Sequence, residues 1–205
     1  MLETAGERPT RRLVLSIALP ALSAAGFLWW RRNLASHDPL PASDSGEEVS
    51  LVEFSDAGAR LGLRQVRKVV RSDSDWWARM TPQQYYVTRN HSTDTPYTGT
   101  YYRMHDDGLF RCICCENALF RSEAKYDSGT GWPSFWAPIA NENVRTLETS
   151  GLSRHDALRI GIEVLCKLCD AHLGHIFDDG PAPTNLRYCI NESALHFVRR
   201  NGPRL

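Results

Sequence analysis

The sequence predicts a mainly β, antiparallel domain entered through two short helices and carrying one cysteine-bound metal site. Three observations predict it. Beyond Tyr97 the chain breaks into brief runs, "GTYYRM", "GLFRCIC", "ALFRS", "RIGIEVLC", "HIF", "LRYCI" and "LHFV", separated by Gly, Asp, Asn and Pro turns. Ahead of these runs stand two helix-start signals, and four cysteines fall into two C-x-x-C pairs far apart in the chain. With 205 residues, 42% of them hydrophobic, the chain can bury one good-sized core. Twenty-four basic residues balance twenty-four acidic ones, so no global field draws the protein to a phosphate backbone, and nucleic acid is not an expected partner.

Residues 1–34 read as a twin-arginine-like signal or a membrane anchor. Arg11 and Arg12 precede an uncharged run from Leu13 to Trp30, which Arg31 and Arg32 close. That run exceeds a usual signal-peptide core and is just long enough to span a bilayer. Pro20 and the small-residue "SAAG" near Ala25 favour a removable signal; Phe27, Leu28, Trp29 and Trp30 favour a retained anchor, since aromatic residues suit a membrane interface. A buried helix of the folded domain fits less well, because no charge interrupts the run to form a solvent face. "TRRLVLS" resembles the twin-arginine motif of the bacterial pathway that exports folded proteins, so the expected location is the periplasm or the periplasmic side of the inner membrane.

Residues 35–48, "ASHDPLPASDSGEE", are polar and proline-bearing and read as a flexible linker. Residues 49–72 form an N-terminal arm whose apolar residues nearly alternate. Strand pair and docking arm are both open for it. The folded domain proper is expected over 73–205. Ser74 or Asp75 can cap a short helix holding Trp76 and Trp77, and Thr81-Pro82 starts a second.

Cys112 and Cys115, with Cys166 and Cys169, can aim four thiolates into one tetrahedral site, closed and therefore structural, suited to zinc. Disulfides are the alternative in an exported chain. A further possibility is that Cys166, Cys169, His172 and His175 form a ligand set by themselves, although four ligands within one such short stretch fold poorly round one ion. Without that set, the two histidines are available for other work.

Cys189 stands alone in "LRYCINESALHF". In a strand, Arg187 and Asn191 share its face: a guanidinium that stabilises a thiolate on one side, an amide that orients a partner on the other. A thiolate is a strong nucleophile, and an imidazole can move the accompanying proton near neutral pH. An inert buried thiol in a half-buried strand is the other reading.

"KYDSGTGWPSFW", "CDAHLGHIFDDGPAPTNLRYCIN" and the paired C-x-x-C together resemble the methionine-R-sulfoxide reductase B family, over about Ser74 to Val198. The resemblance implies a small barrel of two antiparallel sheets with short N-terminal helices and one structural zinc on Cys112, Cys115, Cys166 and Cys169. It implies a repair enzyme that reduces the R epimer of methionine sulfoxide in oxidised proteins, so residues 73–205 would be its catalytic domain. Cys189 matches the catalytic cysteine, while His172, His175 and Asn191 match the polar residues around the sulfoxide. Trp132 matches the aromatic wall that receives the S-methyl group, and Arg187 and Asp179 match charged residues behind it. Many members carry a second, resolving cysteine where this chain has Thr130, and the remaining thiol, Cys114, is wedged between two zinc ligands. A one-cysteine cycle is therefore expected, in a monomer, with a thioredoxin-like protein or a small thiol as reductant. The competing class, a non-catalytic zinc-binding interaction module, leaves Cys189, His175 and Trp132 without a task.

Overall fold

The near alternation of the arm resolves into a hairpin in the computed structural model, which describes residues 46–147 and 151–200. Strand β1 (Glu48–Phe54) pairs antiparallel with β2 (Arg60–Arg67). The two readings of the arm merge: it is a strand pair, and it is docked. Val52 and Phe54 of β1 bury against Leu109 and Ala118. Buried Asn143 completes the join, accepting from the Val52 amide at 2.9 Å and donating to the Val52 and Ala118 carbonyls at 2.9 and 2.8 Å. One side chain thus satisfies backbone groups that an edge strand would otherwise strand away from water.

Two short helices follow, as expected. Helix α1 (Asp73–Trp77) is capped by Ser72 rather than Ser74 or Asp75, because the Ser72 hydroxyl accepts the Asp75 amide at 3.2 Å and donates to its carboxylate at 2.7 Å. Helix α2 (Pro82–Asn90) has the expected Thr81 cap, closed reciprocally by Gln84, with Pro82 in the first turn. Arg89 of α2 lies 4.9 Å over the Trp76 ring and donates to the Cys169 carbonyl at 2.9 Å. This contact sets the helix against the second cysteine turn.

Beyond the helices the fold is antiparallel β. Strands β3 (Gly108–Cys112), β4 (Ala118–Arg121) and β11 (Leu195–Arg199) form a three-stranded sheet in the order β11-β3-β4. Six more, β5 (Lys125–Tyr126), β6 (Ser134–Phe135), β7 (Val144–Leu147), β8 (Ile162–Cys166), β9 (His172–Phe177) and β10 (Arg187–Ile190), order as β5-β6-β10-β9-β8-β7. The two sheets share one core. Phe120 of the smaller sheet stacks on Phe135 of the larger at 4.4 Å, and Phe110 meets Phe135 edge-on at 5.0 Å. These rings are fully buried, each contributing about 1.5–3 kcal/mol by leaving water, and the helices add Trp76 and Val87 to the same core.

Two elements differ from the sequence reading. "GTYYRM" is a turn, because the Glu192 carboxylate accepts the Thr100 and Tyr101 amides at 2.9 and 2.7 Å and so takes the place of a partner strand. "RIGIEVLC" opens with the end of an unpredicted helix, α3 (Arg154–Ile160), capped by Ser153 and ended by Gly161 at φ 98° before β8 begins. The signal-or-anchor reading of 1–34, and all but the last residues of the 35–48 linker, lie outside the described residues. Among the described residues no helix is long and apolar enough to cross a membrane.

Candidate active site

The two cysteine turns meet. Cys112 ends β3 and Cys166 ends β8, each followed by a tight turn that brings Cys115 and Cys169 back beside it. The sulfurs of Cys112 and Cys169 lie 3.7 Å apart, those of Cys115 and Cys166 3.6 Å, and all four fall within 4.8 Å of one another. A disulfide would bring sulfurs to about 2.05 Å, so no pair is bonded. Four thiolates on a tetrahedral zinc at about 2.3 Å stand about 3.8 Å apart, which these separations match. The donor set is all-thiolate and closed. His172 and His175 take no part in it, which removes the alternative set of two thiolates and two imidazoles. The centre joins β3 of one sheet to β8 and the turn before β9 of the other, so a bound zinc ties the sheets together.

Cys189 occupies the middle of the larger sheet. Its cross-strand partners are Ser134 on β6 and His175 on β9, and His175 in turn faces Glu163 on β8. Directly opposed residues share a face, with Cβ atoms about 4.5–5.5 Å apart. Ser134, Cys189, His175 and Glu163 therefore form one row across four strands. Gly174 permits the close approach of β9 and β10: it holds φ 152°, and a Cβ there would sit 2.1 Å from the Cys189 carbonyl oxygen.

His172 joins this row through an irregularity. In a regular strand, residues three apart point to opposite faces. Here the β8–β9 register slips between Val164, paired with Gly174, and Leu165, paired with His172. The extra residue is Leu173, and this bulge returns His172 to the side of His175, their rings 5.4 Å apart and edge-on.

A cavity of about 150 Å³ opens over the row, lined by Thr93, Trp132, Gly174, His175, Phe177, Cys189 and Asn191. His172 is not on its wall; it is buried behind His175. A larger cleft of about 300 Å³ also touches Trp132, but no thiol or imidazole lines it, so the chemistry belongs to the smaller cavity. Trp132 is fixed by an indole N–H donated to the Asp94 carbonyl at 2.9 Å. Gly131 before it holds φ 89°, and a side chain there would also strike Tyr97 and Pro96. Asn191 lies just past the end of β10 rather than within it, yet its amide still lines the cavity, accepting from the Asp94 amide at 2.9 Å and donating to the Leu173 carbonyl at 3.2 Å.

Arg187 and Asp179 form a bidentate pair, 2.8 Å on both arms, with the guanidinium 4.3 Å over the Phe177 ring. Neither lines the cavity. The pairing holds the Asp179 carboxyl below its usual range. Burial pushes the Cys189 thiol up, and the Arg187 charge with hydrogen bonds from Thr130 and Arg187 offsets only part of this. Burial pushes His172 and His175 down, with the Glu163 carboxylate opposing it in both.

Thr130, at the position where many family members carry a second cysteine, helps to offset the rise of the Cys189 thiol and belongs to a hydroxyl chain, with Ser128 2.8 Å from Thr130 and 2.7 Å from Ser134. Cys114 directs its sulfur at Met80, 3.7 Å away, and is absent from the cavity wall. Sequence reasoning missed Glu163, Thr93 and Phe177. Phe177 was within reach, being two residues past His175 in one strand; Glu163 showed only as a lone polar residue in "IEVLC".

A SelR-domain family model matches residues 80–199. The chain is similar to the peptide methionine sulfoxide reductase MsrB of Hahella chejuensis, 48% identical over 135 residues that cover 66% of this chain and 94% of that protein. It is also similar to the chloroplastic peptide methionine sulfoxide reductase B1 of Arabidopsis thaliana, 47% identical over 166 residues, 80% of this chain and 71% of that one. The mitochondrial methionine-R-sulfoxide reductase B2 of Danio rerio is 43% identical over 151 residues, 70% and 83% respectively.

Proposed function

The chain belongs to the methionine-R-sulfoxide reductase B family and reduces the R epimer of methionine sulfoxide in proteins, and we propose that it does so by attack of Cys189 with proton transfer through His175. The observation that carries this mechanism is the thiol and imidazole of directly opposed residues facing one small cavity walled by Trp132. A non-catalytic zinc module accounts for the four thiolates but leaves that cavity unexplained.

A sulfoxide sulfur is a weak electrophile because its oxygen would leave as oxide; protonating the oxygen during attack removes the difficulty. The Cys189 sulfur bonds to the sulfoxide sulfur while the imidazole passes the thiol's proton to the oxygen. The S–O bond then breaks as the hydroxyl passes to the Cys189 sulfur, the S–S bond breaks with its electron pair going to the substrate sulfur, and methionine leaves. Cysteine has lost two electrons, and the substrate sulfur has gained them. Trp132 holds the methyl group, His175 and Asn191 the oxygen, and Arg187, steadied by Asp179, supports the negative sulfur. With methyl and oxygen both assigned, only one epimer presents its sulfur to Cys189. Zinc on the four cysteines is structural and holds the sheets in place.

The sulfenic acid must then be reduced. With Thr130 beside Cys189 and no second thiol on the cavity wall, an external thiol attacks, releasing water and leaving a mixed disulfide that a second thiol cleaves. A thioredoxin-like protein or a small thiol serves, and the chain works as a monomer. Residues 13–30 and the twin arginines ahead of them route it to the periplasm, cleaved or as an inner-membrane anchor.

The test is direct. The purified protein is incubated with each epimer of a methionine-sulfoxide peptide and dithiothreitol, and loss of each is followed. R-selective loss is expected; equal loss of both epimers, or none, removes the proposed mechanism.

A further inference from the structure

Glu163 takes no direct part in sulfoxide reduction, yet this carboxylate sits behind the cavity with two imidazoles on one oxygen. Its Oε1 lies 2.6 Å from Nδ1 of His172 and 2.6 Å from Nδ1 of His91. His172 is almost wholly buried, while His91, in the left-handed position that closes α2, has 57% of its side chain exposed. Two imidazoles and a carboxylate are also a zinc-type donor set, so cation and proton must be told apart. Nitrogen and oxygen ligands on one tetrahedral ion, each at about 2.0–2.1 Å, would stand about 3.3 Å apart. Contacts of 2.6 Å are hydrogen bonds assisted by the carboxylate's charge. The cluster is held by protons.

That assignment fixes the imidazoles. Each donates its Nδ1–H to Glu163, so Nε2 of a neutral ring is left as the unprotonated nitrogen. The buried Nε2 of His172 has no hydrogen-bond partner among the described residues. His172 in turn packs edge-on against His175, which faces Glu163 across β8–β9 and Cys189 across β9–β10.

Resting on the reading of Cys189 and His175 given above, we infer that Glu163 is a positioning residue for sulfoxide reduction. It locks the tautomer and orientation of His172 behind His175, and His91 anchors its carboxylate from the solvent side. The charged groups acting on the histidine pair are Glu163 from β8, His91 from the end of α2, and, on His172, His175. Burial lowers both imidazoles, and the Glu163 carboxylate opposes that through hydrogen bond and charge on His172 and through charge on His175. Without this carboxylate, burial acts unopposed and both rings become harder to protonate. The thiolate–imidazolium form that reacts then becomes scarcer, and the acid edge of activity moves to lower pH.

The experiment is single-turnover release of methionine from an R-sulfoxide peptide across pH, in wild type, Glu163→Gln and Glu163→Asp. Wild type serves as the control: if it releases no methionine from the R epimer, the functional reading has failed rather than this inference. Given wild-type activity, Glu163→Gln is expected to keep its zinc, lose about tenfold or more of the neutral-pH rate, within the range general acid–base groups contribute, and shift its acid edge downward. Glu163→Asp should recover part of both. A Gln variant with wild-type rate and an unmoved edge overturns the inference. If Glu163→Gln does not fold, long-range ¹⁵N–¹H spectra of the wild type decide: Nδ1–H tautomers for His172 and His91 are required, and Nε2–H at His172 overturns it.

Discussion

Cys189 and His175 face one another directly across the β10–β9 ladder, so the thiol and the imidazole lie on one side of the sheet and on the wall of the same cavity. Neither side chain needs to move to another element for the two to cooperate. The sheet itself sets their spacing.

Cys189→Ser should therefore keep its fold and its zinc while losing all reduction, stoichiometric round included. Circular dichroism and metal content check the first part, and methionine release checks the second. Sustained turnover by this variant would take Cys189 out of its role.

The pH dependence follows from the two opposed displacements. Burial raises the Cys189 thiol and lowers the His175 imidazole, so at neutral pH the site holds a thiol beside a neutral ring, one proton transfer from the reactive pair. Below the imidazole's value an extra proton blocks the thiol's transfer to the ring; above the thiol's value the proton needed by the oxygen is gone. Single-turnover rates should form a plateau reaching below pH about 6.5 and above pH about 8.5, the ordinary values of the two groups. A narrow bell confined between those values would contradict the assignment.

Cys112→Ser removes a ligand that joins the two sheets. Since the free energy of a structural zinc, about 10–16 kcal/mol in small zinc domains, is largely folding free energy, the variant should lose metal and most of its stability. Zinc content and thermal unfolding measure this. A soluble, zinc-free and fully active variant would show that the metal is dispensable.

Cys114→Ser should leave turnover with a thioredoxin-like donor intact, because its sulfur is turned to Met80 and is absent from the cavity. Thr130→Cys is the complementary change, placing a thiol where the Thr130 hydroxyl now acts on the Cys189 thiol. Dimedone should label Cys189 after one round in wild type and fail to do so in Thr130→Cys, where a disulfide forms first. If Cys114→Ser abolishes turnover yet spares one stoichiometric round, Cys114 is the resolving thiol.

Local chemistry was the most legible part of this chain. Each C-x-x-C turn is a short-range device, and the Thr81-Pro82-x-Gln84 start of α2 is complete within four residues. Strand period two was enough to set Arg187 and Cys189 on one face. What depended on distant partners was not readable: "GTYYRM" looks like a strand until Glu192, far along the chain, supplies its hydrogen bonds. The same holds for Glu163, whose neighbours His91 and His172 meet it only after α2 and β9 are in place. The resemblance places His172 and His175 together, and their rings do lie 5.4 Å apart. Regular strand geometry alone would have separated them.

The Leu173 bulge makes that grouping a matter of parity. Side chains along β9 can be exchanged and the count still holds, whereas deleting one residue between the two histidines would turn one imidazole away from Glu163 and Cys189 and leave every ligand of the zinc untouched. An intact, metal-loaded and inert protein would result, its defect lying in how many residues the strand contains and not in which.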